Sequence, residues 1–273
     1  MYINCKGTLI DLSTPKVMGI VNLTPDSFYD GGKYKELAAV VSQVGMMLEE
    51  GATFIDMGAY SSRPDATDIS TQEEERRLIP IIEEIVKQFP EILISVDTFR
   101  SAVAQKAIQA GACMVNDISA GQLDKDMMKV VGELQVPYLM MHMKGTPQTM
   151  KHLTTYEDLL KEICFYFSER LALARTHKIN DLIMDPGFGF AKTIVQNYTL
   201  LRELDFFKHL DVPILAGLSR KSMIYKTLNG TATTALNGTT ALNMIALRNG
   251  ANILRVHDVK EAVECVQLHK ALL

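Results

Sequence analysis

The chain has 273 residues, 47% of them hydrophobic and 22% charged, with a formal net charge of −4. That is enough sequence for one large core or two small ones, and the mixed charges give no basic surface of the kind that holds nucleic acid. No apolar run approaches the ~18 residues of a membrane helix, and Met1-Tyr-Ile-Asn-Cys-Lys6 lacks the apolar stretch of a signal peptide. The four cysteines (Cys5, Cys113, Cys164, Cys265) are far apart and form no CxxC. This favours reduced, mostly buried thiols in a cytoplasmic protein over a disulfide frame or a zinc site.

Residues 2–11 alternate around Lys6-Gly7, as a small hairpin would. Apolar runs of strand length follow, each closed by a polar or turn residue. They are Val17–Val21 before Asn22, Thr53–Ile55 before Asp56, Ile92–Val96 before Asp97, and Cys113–Val115 before Asn116. Then come Val136–Met141 before His142, Leu182–Met184 before Asp185, Pro213–Ala216 before Gly217, and Asn252–Leu254 before Arg255-Val256-His257. Runs without alternation suit strands buried on both faces, as in a parallel sheet.

Helical spacing fills the gaps at Leu37–Glu50 and Gln72–Phe89, the latter opened by a capping box at Thr71-x-x-Glu74. Thr154-x-x-Glu157 is read as opening a long helix to about Lys178, and Asp258-x-x-Glu261 as opening the last one. Three helices share the exit Gly-Ala, at Gly51, Gly111 and Gly250, each before a strand. Glycine past a helix end takes the left-handed conformation that closes the last carbonyls. Eight strand–helix units predict a (β/α)8 TIM barrel in one domain, 1–273, preceded by a short N-terminal hairpin. A doubly wound open sheet is the rival, but no GxGxxG opens the first unit. In a barrel the active site lies at the C-terminal mouth, where Asn22, Asp97, Asn116, Asp185, Lys221, Arg255 and His257 would converge.

Two groupings emerge at that mouth. Asp97, Asn116 and Asp185 offer acceptors plus one amide, a set that suits a flat heterocycle rich in N–H donors. Hard-cation binding is the competing reading, and internally satisfied buried acids the bland one. Leu182-Ile-Met-Asp185-Pro-Gly-Phe-Gly-Phe190 has the clearest grammar, a buried run delivering a carboxylate into a loop that backbone or ligand can approach closely. The second grouping, Asn22, Ser61, Ser62, Arg63, Arg255 and His257, is cationic and suits a phosphate. Arg255 and His257, two apart on one strand, are expected to point the same way and to want an anion. Ser219-Arg-Lys221-Ser222 precedes a helical pattern and could meet a ligand carboxylate. The long loop Asn22–Gly32 reads as a lid or binding loop. His142 fits core packing as well as ligand contact.

These residues resemble a dihydropteroate synthase, and the likeness runs from Val17 onward. It rests on the ordered set Met18-Gly-Ile-Val-Asn-Leu-Thr-Pro-Asp-Ser-Phe28, Ser61-Ser-Arg-Pro64, Ser95-Val-Asp-Thr98 and Asn116-Asp-Ile. The set continues with Met141-His-Met-Lys-Gly-Thr-Pro147, Asp185-Pro-Gly-Phe-Gly-Phe190, Ser219-Arg-Lys-Ser222 and Arg255-Val-His-Asp258. The resemblance implies an enzyme that joins p-aminobenzoate to 6-hydroxymethyl-7,8-dihydropterin pyrophosphate, releasing pyrophosphate and giving 7,8-dihydropteroate for folate biosynthesis.

It further implies that Asp97, Asn116, Met141, Asp185, Lys221 and Arg255 hold the pterin. Asn22, Ser62, Arg63, Arg255 and His257 would hold pyrophosphate, Asn22 partly through Mg²⁺. Phe28, Pro64, Phe190, Lys221 and Ser222 would frame p-aminobenzoate, while Asp30, Asp97 and Lys221 serve the reacting centre. Small-molecule substrates, no nucleic acid, no membrane and a cytoplasmic homodimer complete the expectation.

The chain departs from the family pattern at Gly58-Ala-Tyr60-Ser-Ser62, where an acid usually stands at the position of Tyr60, and at Ala191 in place of a common glycine. Two alternatives stay open: a methyltetrahydrofolate–corrinoid methyltransferase, which needs no pyrophosphate cluster, and a non-enzymatic pterin-binding barrel.

Overall fold

The fold comes from a computed structural model, which describes residues 1–23, 32–60 and 68–273. An antiparallel hairpin, β1 (Tyr2–Cys5) and β2 (Thr8–Asp11), comes first. Lys6 and Gly7 turn it with φ of 52° and 80°, the pair of positive values that a two-residue hairpin turn requires.

Strands and helices then alternate as the apolar runs predict. They are β3 (Lys16–Asn22), α1 (Gly32–Glu49), β4 (Phe54–Gly58), α2 (Thr71–Gln88), β5 (Ile94–Asp97), α3 (Ser101–Gln109), β6 (Met114–Asp117) and α4 (Met127–Leu134). The second half comprises β7 (Tyr138–Met141), α5 (Leu159–Thr176), β8 (Leu182–Asp185), α6 (Ile194–Arg202), β9 (Leu215–Ala216), α7 (Ser222–Thr227), α8 (Leu236–Arg248), β10 (Ile253–Val256) and α9 (Val259–Ala271).

All neighbours in the eight-stranded sheet are parallel, in the order β8-β7-β6-β5-β4-β3-β10-β9. A parallel bridge between Met184 and Ile214 joins its two ends. The sheet thereby closes into a (β/α)8 barrel, and the open-sheet rival falls.

Two apolar layers hold this arrangement. Between barrel and helices lie residues such as Val21, Ile55, Val96, Val115, Met140 and Met184, packed on Val44, Leu78, Ile82 and Phe167. A second cluster joins Met18, Phe54, Met114, Leu139, Ile183, Leu215 and Ile253 to Ile3, Cys5 and Leu12 of the N-terminal segment. Alternate residues of a strand share a face. The residues two further along are Ile20, Asp56, Asn116, Met141, Asp185, Gly217 and Arg255, so on β4, β6, β8 and β10 the barrel interior turns from an apolar floor to a polar mouth within one step of the pleat.

Several helix starts differ from expectation. Helix α2 is capped by Ser70, which accepts from Glu73 N, and not by Thr71. Helix α5 begins at Leu159 with Asp158 as its cap, accepting from Lys161 N, five residues beyond the Thr154 box and ending at Thr176. Asp258 stands at the cap position of α9 but makes no side-chain cap bond, because its carboxylate is taken by Arg220. The three Gly-Ala exits are as expected, with φ of +100°, +111° and +101° at Gly51, Gly111 and Gly250. All four cysteines are free thiols, three of them buried. No described helix is long and apolar enough to cross a membrane.

Candidate active site

The mouth is built outward from its acids. Asp56 sits in the middle of β4, fully buried, because β4 runs three residues further than its apolar pattern suggests. Its Oδ2 accepts from Arg255 Nε at 2.6 Å and from Asn116 Nδ2 at 3.0 Å. Arg255 NH2 donates to Asp97 Oδ2 at 2.8 Å. Strand register explains the meeting: Asp97 lies beside Asn116 on β5 and β6, and Asp56 beside Ser95 on β4 and β5.

Burial and the neighbouring Asp56 raise Asp97 to about 7, against the pull of Arg255. Arg255 is also raised above its ordinary value: burial works against it, but the pull of Asp56 and Asp97 prevails. The cation and its acids therefore form one network. Asp56 Oδ1 has no hydrogen-bond partner among the described residues although it is buried, so the network holds an acceptor to spare.

Across the mouth Asp185 ends β8 beside Met141, the last residue of β7. Asp185 Oδ1 accepts from Gly187 N at 2.8 Å. Burial raises its carboxyl above the usual range, against Lys221 and that N–H. Gly187 has φ +74°, and a Cβ there would lie 2.2 Å from the His142 carbonyl oxygen. Only glycine lets this loop pass so close to the β7 exit.

Lys221 caps α7 and turns its amine inward, donating to the Phe188 carbonyl and lying 4.8 Å from the centre of the Phe190 ring. Burial lowers Lys221 to about 8, while Asp185 pulls the other way. Ser222 is the first residue of α7.

The anion grouping is less concentrated than its spacing suggests. Arg255 is already balanced by Asp56 and Asp97, so the argument that two cations on one strand want an anion does not hold for it. His257 lies past the end of β10, exposed, with its Nδ1 3.0 Å from Ser219 Oγ. Asn22 ends β3 and is exposed at the same mouth. Phe28, Asp30, Ser62, Arg63 and Pro64 lie outside the described residues. Among the described residues no cluster of three or more His, Cys, Asp or Glu side chains could hold a metal.

Sequence reasoning missed Asp56, treating it as the end of a strand. The usable signal was its place two residues beyond Phe54, the same step that separates Met114 from Asn116 and Ile183 from Asp185. His142, left open between packing and ligand contact, is buried with its Nδ1 3.0 Å from Lys192 Nζ.

Acids and an amide on adjoining strands are faced by a buried lysine and arginine at the mouth of a (β/α)8 barrel, groups of the kind that could meet a flat, N–H-rich heterocycle. Comparison with known proteins agrees: the profile of the pterin binding enzyme family matches residues 18–257. The Escherichia coli K12 dihydropteroate synthase is 42% identical over 275 residues, covering 100% of this chain and 97% of that protein. The Synechocystis enzyme of the same name is 44% identical over 259 residues, covering 94% and 89%. Among solved structures, Yersinia pestis dihydropteroate synthase with a sulfonamide drug complex superposes with a TM-score of 0.93 at 40% identity, covering 100% and 99% of the two chains. The Xanthomonas albilineans enzyme with 4-aminobenzoic acid gives 0.92 at 39% identity, covering 99% and 97%. The chain belongs to the dihydropteroate synthase family.

Proposed function

We propose that this chain condenses 6-hydroxymethyl-7,8-dihydropterin pyrophosphate with p-aminobenzoate, giving 7,8-dihydropteroate and pyrophosphate. The observation that carries the reading is the polar layer one pleat above the apolar floor, where Asp56, Asp97, Asn116, Asp185, Lys221 and Arg255 are brought together. Asp185 is the group for the pterin's paired N–H donors, because a carboxylate accepts two parallel hydrogen bonds. Lys221 supplies a donor to a ring carbonyl or nitrogen, and Met141 and Arg255 lie against the ring faces.

In the reaction the bond between the pterin methylene and the pyrophosphate oxygen breaks, and both electrons leave with pyrophosphate. The carbon left behind is electron-poor, and Asp97 and Asp56 favour positive charge near it. The arylamine nitrogen then forms the new C–N bond and loses a proton. No activated nucleophile is needed, which fits the absence of a Ser-His-Asp or Cys-His set from the sequence motifs.

Pyrophosphate falls to Asn22, Ser62, Arg63, Arg255 and His257. Asn22 would contribute a neutral amide oxygen, a hard ligand of the type Mg²⁺ takes. When bound there, Mg²⁺ would stabilise charge growing on the leaving group. Phe28, Pro64, Phe190, Lys221 and Ser222 would frame p-aminobenzoate, and Asp30 serve the reacting centre. A homodimer is proposed as well, supported by the exposed apolar side chains Leu228, just past α7, Ile245 of α8 and Leu268 of α9, in a cytoplasmic protein. The methyltransferase and the non-enzymatic barrel are not favoured.

The test is to add both substrates to the purified chain with Mg²⁺ and assay pyrophosphate. Stoichiometric release that requires p-aminobenzoate is expected, and none in its presence would refute the reading. Asp185→Asn faces a donor with a donor, so pterin affinity should fall by at least ~2 kcal/mol in calorimetry; unchanged binding would remove Asp185 from the pterin site.

A further inference from the structure

Behind the loop that carries Phe190 lies a buried amine that the reaction as derived does not use. Lys192 is 8% exposed. Its Nζ is 3.1 Å from the Gly187 carbonyl oxygen, 3.1 Å from the Phe190 carbonyl oxygen and 3.0 Å from His142 Nδ1. His142 is itself 2% exposed, set edge-on to Tyr166 with ring centroids 4.8 Å apart. Its backbone N–H donates to the Asp185 carbonyl at 2.9 Å. Tyr166 OH in turn donates to the Met141 carbonyl at 3.1 Å.

A lysine nitrogen has three positions beyond its carbon, and all three are filled here. The two carbonyls can only accept, so each takes an N–H. The third position faces Nδ1, which accepts from an ammonium or donates its own proton to a neutral amine. The surroundings ease the choice: burial lowers Lys192 to about 7 and holds His142 well below its usual value.

A core that needed only filling at this place would take a leucine or methionine, which bury without desolvating charge. What the amine provides instead is geometry. It grips the loop at Gly187 and Phe190, the residues on either side of Phe188 and Gly189. The Phe188 carbonyl holds Lys221, and Lys221 lies over the Phe190 ring. Asn197 of α6 adds a further hold, accepting from Gly189 N at 2.7 Å. Ala191, next to the lysine, is kept at φ 50°, in the left-handed region where a side chain is uncommon. By contrast, the Asp185 backbone belongs to a strand and is placed by the barrel ladder, its carboxylate alone reaching the loop at Gly187 N.

We propose that Lys192, oriented by His142, is a positioning residue for the arylamine substrate: it fixes the Gly187–Phe190 loop, and with it the Phe190 ring and the Phe188 carbonyl that aims Lys221. The proposal rests on the reading of Phe190 and Lys221 as p-aminobenzoate contacts. Its signature is selectivity between the two substrates. Loosening the loop should weaken the amine substrate's site more than the pterin site, because Lys221 is shared by both while Asp97, Asn116 and Asp185 stand on strands.

The experiment uses the full chain as Lys192→Met, His142→Leu and His142→Asn, with both KM values taken from pyrophosphate release and pterin binding from calorimetry. Asparagine places an amide oxygen where Nδ1 stood, whereas leucine offers no acceptor. Lys192→Met and His142→Leu should raise the KM for p-aminobenzoate at least tenfold, with the pterin KM and affinity within threefold of the parent. His142→Asn should restore most of the loss seen in His142→Leu. Unchanged p-aminobenzoate KM in both apolar variants, equal damage to both substrates, or no difference between leucine and asparagine would overturn the role. If Lys192→Met does not fold, the His142 pair alone decides. A parent that releases no pyrophosphate refutes the proposed function instead, so the two failures are told apart.

Discussion

Asp56 shows how much a single buried carboxylate organises. One of its oxygens takes both the Arg255 Nε and the Asn116 amide, so Asp56→Ala strands two donors at once. Removing one partner of a buried pair costs ~3–5 kcal/mol. Arg255 keeps Asp97, which places the expected loss of unfolding free energy near the lower end of that range. Denaturant titration measures it, and a loss below ~1 kcal/mol would mean the pair behaves as a surface contact.

Under the proposed function, the same network should make pterin binding pH-dependent. Asp97 sits at about 7 instead of 3.8, through burial and the nearby Asp56, and Lys221 at about 8 instead of 10.5, through burial. As pH falls through 7, Asp97 takes up a proton and ceases to be an anionic acceptor; as pH rises through 8, Lys221 loses its charge. Pterin affinity should therefore peak between these values and fall on each side, roughly tenfold for each pH unit well beyond either one. The sign for stability follows from the raised Asp97 value. Its contribution is fully present below 3.8 and is lost as pH rises toward 7. Calorimetry from pH 6 to 9 checks the profile, and Asp97→Asn should flatten the acid limb.

At the scale of elements, the helix caps give a sharp comparison between pattern and structure. The sequence offers two adjacent hydroxyls at the start of α2, and the capping-box pattern favours Thr71 because Glu74 stands three residues on. In the fold Ser70 Oγ accepts from Glu73 N at 3.2 Å, while Glu74 points inward, accepting from Thr98 Oγ1 and Arg100. Ser70→Ala should cost ~1 kcal/mol of stability and Thr71→Ala a few tenths at most; equal losses would deny Ser70 its capping role.

The episode shows where sequence legibility stops. All eight barrel strands could be read, because strands buried on both faces leave unbroken apolar runs. Their ends could not, since the inner face turns polar before the strand finishes. Asp56 and Arg255 therefore resembled terminators while still in the ladder. Asp97, Asn116 and Asp185 were legible as polar groups at the mouth because each follows its run directly, as Asp56 and Arg255 also do. The Arg255 salt bridges were not, because they join β10 to β4 and β5 across the barrel, and no local pattern carries that contact. Lys192 was invisible for a related reason: a lysine in a loop reads as solvated until a histidine from another strand exit closes over it.

Across the whole molecule, stability and chemistry occupy opposite ends of one barrel. The N-terminal hairpin covers the floor, with Ile3, Cys5 and Leu12 packed on the inward residues of seven strands. Polar ties fix it there: Asn4 N donates to Asp181 Oδ2 at 3.0 Å, Lys6 Nζ to the Ile92 carbonyl at 3.1 Å, and Asn252 Nδ2 to the Leu12 carbonyl at 3.0 Å. Asn252 Oδ1 also accepts from Ile214 N at 2.9 Å, next to the bridge where the barrel closes. The floor thus supports the seam where pairing is sparsest. Ile3 is 1% exposed, so Ile3→Ala removes apolar contact and leaves a cavity under the barrel, at a cost of ~2–5 kcal/mol. For a chain of this size each kcal/mol is worth roughly 2–4 °C in melting temperature, so a fall of several degrees is expected. Pterin affinity should not follow, because the apolar layer of Met18, Phe54, Met114 and Ile183 separates Ile3 from Asp56, Asn116 and Asp185. Asp185→Asn should show the reverse, with affinity lost and little change in melting. Measuring melting temperature and pterin dissociation constant on the same two variants checks both halves. A parallel loss of affinity in Ile3→Ala would mean that floor and mouth move together and that the barrel does not insulate its site from its support.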